Sequence, residues 1–158
     1  GGSADLDWLD DHARELGAEV LVDGRDADDT GAAVVEATGG GAQVSVDALG
    51  SPATAAASVR SLRRRGRHVQ VGLLLGQDAA PPLPIDRVVA WELEVYGSHG
   101  MPAVDYPAML AMVADGRLRP DRLVGRVIGL EEAGAALAAM DHPSASAGIT
   151  VVDVRRTP

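Results

Sequence analysis

Residues 44–52 read VSVDALGSP: an apolar alternation, an acidic residue, a glycine turn and a Ser-Pro pair. Val44, Ser45, Val46 and Asp47 alternate with the period of two that marks a strand. Ser51 suits the N-cap of a helix and Pro52 its first position, because a helix start leaves that N–H unbonded in any case. The stretch thus predicts a strand over 42–50 handing over to a helix from 52. That is the order of a nucleotide-binding βα unit, which raises the question of its phosphate loop. The dinucleotide fingerprint G-x-G-x-x-G follows a first strand and opens a first helix, so that backbone N–H groups and the helix dipole meet the pyrophosphate. No stretch meets that requirement. Gly39 and Gly41 have the first spacing, but Val44 stands where the third glycine belongs, and the triplet precedes a strand. It reads as a helix end and turn.

Working outward, Leu9, Ala13 and Leu16 share a helical face and predict a short helix over 7–16, stopped by Gly17. AEVLVDG (18–24) predicts a strand ended by Asp23-Gly24. A helix follows from Asp29 or Thr30 to about Ala37. Beyond the Ser-Pro pair, the helix is expected to run to Gly66, with Arg63, Arg64 and Arg65 in its last turn, where the negative end of the dipole favours cations. RHVQVGLLLG (67–76) and AWELEVYGSHG (90–100) predict two further strands around a Pro-rich connection at 81–84. A helix over 106–115, a short strand VGRVIG (124–129), a helix LEEAGAALAAM (130–140) and a closing strand GITVVDV (148–154) complete the pattern. Strands alternating with helices imply right-handed crossovers and a parallel sheet.

Composition narrows the chemistry. The chain has 158 residues, enough for one domain, and a formal charge of −9, which disfavours nucleic acid as a partner. Every one of its 14 basic residues is arginine, which excludes a P-loop lysine, a Schiff base and a Tyr-x-x-x-Lys pair. Without cysteine it has neither disulfides nor thiolate metal ligands. The N-terminus GGSADLDWLDD is acidic where a signal peptide is basic, and no apolar run reaches the roughly 18 residues of a membrane span. A cytoplasmic chain without a membrane segment is the expectation.

Three strand ends carry glycine after an apolar run: Asp47-Ala48-Leu49-Gly50, Val71-Gly72-Leu73 and Val95-Tyr96-Gly97. In an open parallel sheet, ligands lie beyond the carboxyl ends of the strands, where small residues let backbone amides approach a cofactor. His12, His68, His99 and His142 are scattered, with no metal-binding spacing. Of these, His99 alone falls just beyond a strand end. Asp47 is a candidate acid, although a strand-end aspartate commonly accepts from neighbouring backbone N–H groups. No residue qualifies as catalytic, and none as a metal ligand.

The order of segments, from HARELGAEVLVDG through GAQVSVDALGSPATAAASVRSLRRRGRHVQVGLL, then WELEVYGSHGMPAVDYPAMLAMVADGRLRP and IGLEEAGAALAAM, resembles the medium-chain dehydrogenase/reductase family of the zinc-dependent alcohol dehydrogenase type. The likeness runs from about Asp5 to Val154. It implies an incomplete Rossmann-like α/β fold over 1–158, a parallel sheet flanked by helices, lacking the first two strands and the glycine fingerprint, with a C-terminal return segment. It implies an oxidoreductase passing a hydride between an alcohol or carbonyl substrate and NAD or NADP. Zinc would belong only to a missing N-terminal part, and the chain alone would be inactive.

By position, the resemblance assigns Ala48, Leu49 and Gly50 to the adenosine side, Val71, Gly72 and Leu73 to the nicotinamide side, and Val95 and Tyr96 to the carboxamide. Asp5, or less favourably Asp7, matches the acidic residue on the adenosine ribose. Ile149 departs from the family's Arg or Lys against the phosphates. Alternatives are a zinc-independent quinone reductase of the same superfamily and a non-catalytic remnant that only self-associates. The resemblance also implies a homo-oligomer, joined along the strand at 92–96. In the Rossmann strand order, 19–23 and 43–47 would flank the two missing strands, so direct parallel pairing between them is expected of the chain alone, with the helices on one face.

Overall fold

A computed structural model describes residues 3–24, 29–141 and 147–156; for residues 3–8 and 141 it describes backbone only. The chain divides into two compact units, residues 20–100 and residues 1–19 with 101–158. The architecture is α/β, with parallel strands flanked by helices. His142 lies outside the described residues.

In the unit spanning 20–100, helix α2 (Thr30–Ala37) starts where Asp29 accepts a hydrogen bond from the Ala32 N–H at 3.1 Å. Strand β1 (Ala42–Asp47) follows, then α3 (Pro52–Arg60), β2 (Leu62–Gln70), α4 (Ile85–Trp91) and β3 (Glu94–Gly97). The sheet order is β1-β2-β3, all parallel. Ser51 and Thr54 cap α3 reciprocally: the Ser51 side chain accepts from the Thr54 N–H at 3.1 Å, and the Thr54 hydroxyl from the Ser51 N–H at 3.2 Å. The core is small. Val59 of α3, Leu62 of β2 and Leu93 before β3 are buried together, with Leu83, Val88 and Trp91 packed against them.

Four expectations need correction. Residues 19–23 form no strand among the described residues, so β1 has no partner on that side and the direct pairing of 19–23 with 43–47 does not occur. Helix α3 ends at Arg60, and the three arginines belong to β2. Between Ala42↔Leu62 and Val44↔Arg67 the register shifts, so Arg63–Gly66 bulge opposite Gln43, with Arg65 at φ 58°. The bulge brings Arg64 and Arg65 to the end of α4. Arg64 donates to the Ala90 carbonyl at 3.2 Å and lies 5.4 Å from the Trp91 ring, and Arg65 pairs with Glu92 at 3.0 Å. Arg64 and Arg65 therefore serve a helix C-terminus, but that of α4, which the Pro-rich connection conceals in the sequence. Finally, β2 stops at Gln70 and not at 76, because the Val71 and Gly72 N–H groups both turn to the Asp47 carbonyl, at 2.9 and 2.8 Å.

The other unit contains α1 (Ser3–Glu15), α5 (Tyr106–Ala114), and a parallel pair, β4 (Val124–Ile128) and β5 (Ile149–Val152), joined through α6 (Ala133–Ala138). Ile128 is its buried large apolar side chain among the described residues, and a groove of about 550 Å³ lined by Ile128, Ala136, Leu137, Met140 and Ile149 runs over this pair. Glu132 accepts from the Gly129 N–H and pairs with Arg126 at 3.0 Å. Arg122 of the turn before β4 pairs with Glu15 of α1 at 2.9 Å.

Candidate cofactor-binding edge

The three parallel strands of the 20–100 unit bring their carboxyl ends to one edge. Asp47 pairs with Gln70, and Gln70 with Gly97, so the ends are level. Ala48, Leu49 and Gly50 follow β1, and Val71, Gly72 and Leu73 follow β2. Val95 and Tyr96 sit inside the ladder, opposite His68 and Val69, two residues and one residue short of the end. These eight residues share one edge of one sheet. Asp5 falls on α1, in the other unit, and its side chain lies outside the described residues.

The edge is apolar on its outside. Leu49 is 74% exposed and Leu73 59%, with Val71 and Tyr96 also exposed. Its amides are engaged inward. Asp47, 3% exposed, accepts through Oδ1 from the Leu49 and Gly50 N–H groups at 3.0 and 3.2 Å, and through Oδ2 from the Gln70 side-chain amide at 2.8 Å. Burial pushes its carboxyl up, but the Gln70 amide and the N–H groups of Gly50 and Leu49 outweigh that and hold it below the ordinary carboxyl value. Asp47 thus has the backbone-bonding role open to it in the sequence, and it is no proton donor at neutral pH.

The two glycines meet each other. A Cβ on Gly50, whose φ is +84°, would come within 2.8 Å of the Gly72 carbonyl carbon, and a Cβ on Gly72 within 2.6 Å of the Leu49 carbonyl carbon. Close approach of the β1 and β2 turns is what requires both. Gly97 has nothing within 4 Å.

The sequence missed His68 and Gln70. They alternate with Val69 and Val71, a pattern that ordinarily points polar side chains to water. Here the polar side faces in. His68 is fully buried, its Nδ1 2.9 Å from the Ser58 hydroxyl of α3 and its Nε2 3.2 Å from Gln70 Oε1. On the other side of the sheet Val44 and Val46 stay exposed. There too, on β2 and β3, Arg67 pairs with Glu94, which also accepts from the Tyr96 hydroxyl at 2.8 Å and so holds that phenol above its ordinary value. His99, beyond β3, is exposed. Among the described residues no group of three or more His, Asp or Glu side chains could hold a metal ion.

A family model described as zinc-binding dehydrogenase matches residues 8–115. The chain is 37% identical over 129 residues to a probable alcohol dehydrogenase of Mycobacterium tuberculosis, covering 81% of this chain and 35% of the relative. It is 32% identical over 120 residues to (R,R)-butanediol dehydrogenase of Bacillus subtilis, covering 76% of this chain and 33% of the relative. The crystal structure of 2R,3R-butanediol dehydrogenase from Bacillus subtilis superposes with a TM-score of 0.77 at 26% identity, over 92% of this chain and 41% of that one. An alcohol dehydrogenase from a Thermus species does so with a TM-score of 0.76 at 26% identity, over 90% and 40%. The chain spans about a third of the length of the curated relatives it matches. With the model covering more than half of its residues and the fold agreeing, the chain belongs to the zinc-binding dehydrogenase family.

Proposed function

We propose that this chain supplies part of the cofactor platform of an alcohol dehydrogenase-type oxidoreductase, with the carboxyl edge of β1-β2-β3 as the seat of NAD or NADP. The observation that carries the reading is the level edge itself, where exposed Leu49, Val71 and Leu73 line up beside one another in a chain of dehydrogenase ancestry. Flat adenine and nicotinamide rings suit such apolar side chains, and strand ends of a parallel sheet are where dinucleotides sit. Ala48, Leu49 and Gly50 would take the adenosine half, Val71, Gly72 and Leu73 the nicotinamide half, and Val95 and Tyr96 the carboxamide. Bound there, the cofactor supplies a hydride acceptor or donor. Asp5 is proposed for the ribose hydroxyls.

The fit is partial. The chain has no G-x-G-x-x-G stretch for the pyrophosphate, and Ile149 carries no charge toward it. Zinc finds no fit among the described residues, which offer neither cysteine nor a cluster of His and carboxylates. The substrate class is proposed as an alcohol or carbonyl compound, from the relatives' names. For the chain by itself, no turnover is expected, the point on which the non-catalytic reading agrees. A homo-oligomer and a cytoplasmic address complete the proposal. Calorimetric titration of the 158-residue chain with NAD and NADP tests it. Saturable binding in the range of about 1 mM, near −4 kcal/mol, is expected. No heat at several times that concentration would refute a cofactor seat here.

A further inference from the structure

We infer that Gln70 is the positioning residue of this edge, tying the β1 turn to the β2 turn and linking both to helix α3 through His68 and Ser58; the inference rests on the cofactor reading. Gln70 Nε2 donates at 2.8 Å to Asp47 Oδ2 and at 2.8 Å to the Gly72 carbonyl. Turning the amide over would set its oxygen against both acceptors, so its orientation is determined. Oε1 then faces His68 Nε2, which must carry the proton. In the tautomer with its proton on Nε2, Nδ1 is the acceptor and the Ser58 hydroxyl donates to it. Every donor in this chain points one way, from α3 toward the Asp47 carboxylate, whose other oxygen takes the Leu49 and Gly50 N–H groups.

Packing alone does not ask for this arrangement. Apolar residues at 68 and 70 would fill the same sheet face at less desolvation cost, whereas a fully satisfied polar chain sets one geometry. What that geometry holds is specific: Leu49-Gly50 against Gly72-Leu73, the two turns that would flank the cofactor. The carboxylate on which the donors converge stays ionised at neutral pH, so the clamp is permanent there.

Amide hydrogen exchange and NADH titration of the full 158-residue chain, wild type against Gln70→Leu, Asp47→Asn and the double variant, test the inference. In Gln70→Leu, exchange at the Leu49 and Gly50 amides should rise about tenfold while that at Val44 holds, and the NADH dissociation constant should rise about tenfold, the scale of one lost hydrogen bond to a charged group. The double variant should bind no more weakly than either single one, because both remove the same link. Additive losses, or a Gln70→Leu constant within about twofold of wild type, would overturn the role. If Gln70→Leu does not fold, Ser58→Ala cuts the far end of the same chain, and about threefold faster exchange at Leu49 and Gly50 is then required. Absence of NADH binding by the wild type sinks the cofactor reading alone; unchanged exchange in the variants sinks the clamp.

Discussion

Gly50 and Gly72 show how one position can carry an unexpected constraint. Each would drive a methyl group into the backbone of the other's turn, and Gly50 adds a φ of +84° that a side chain resists. Gly72→Ala should lower unfolding free energy by about 2 kcal/mol in urea titration, within the range for overpacking. Gly97→Ala, with open space around it, should change stability by less than about 0.5 kcal/mol. Equal effects would remove the close approach as the reason for these glycines. Asp47 gives a second test. Its folded value lies below the ordinary 3.8, so its ionised form stabilises the fold above about that pH, and that contribution is lost as pH falls through the lower, folded value. Denaturation measured from pH 6 downward should therefore show the wild type losing stability in acid more steeply than Asp47→Asn. The variant should be the less stable at neutral pH, since its new amide meets that of Gln70 donor to donor. Identical slopes would mean that other carboxylates govern the acid limb.

Among the elements, α3 has a start fully written in the sequence. Ser51, Pro52 and Thr54 lie within four residues and need no distant partner, so the cap appears where the motif stands. Ser51→Ala should cost about 1 kcal/mol and Ser51→Gly only a few tenths, read from thermal melts by circular dichroism. Its end is a different matter. Arg63, Arg64 and Arg65 have good helix propensity, yet the chain leaves the helix at Arg60 because Leu62 must enter the cluster with Val59 and Leu93 and pair with Ala42. Tertiary demand outweighs local preference there. Helix α4 was hidden for a related reason: Pro84 precedes it and Glu92 closes it in a left-handed conformation, φ 52°, with no glycine to announce the stop.

At the scale of the whole molecule, each unit leaves large apolar side chains uncovered: Val44, Val46, Leu49 and Leu73 in one, Leu137, Met140 and Ile149 in the other. Strand β3 is exposed along its length and, among the described residues, pairs with β2 on one side only. Apolar surface of this extent and an open strand edge favour association. Light scattering should give a mass that rises with concentration above 16.2 kDa, and a constant monomer mass at millimolar concentration would refute the expectation.

By itself the sequence determined the α/β alternation, the parallel sheet, the capped βα unit at 44–54 and the three strand ends that gather at one edge, because periodicity, Ser-Pro capping and glycine turns act over a few residues. Tertiary structure alone decided that 19–23 stays out of the sheet, that Arg64 and Arg65 serve α4, and that His68 and Gln70 face inward. Those outcomes depend on which strand lies beside which, on hydrogen-bond partners 23 and 26 residues away and on how completely a buried polar chain is satisfied. VSVDALGSP is therefore a strand end whose aspartate is held by Gln70 from the neighbouring strand, a relation that local pattern does not carry.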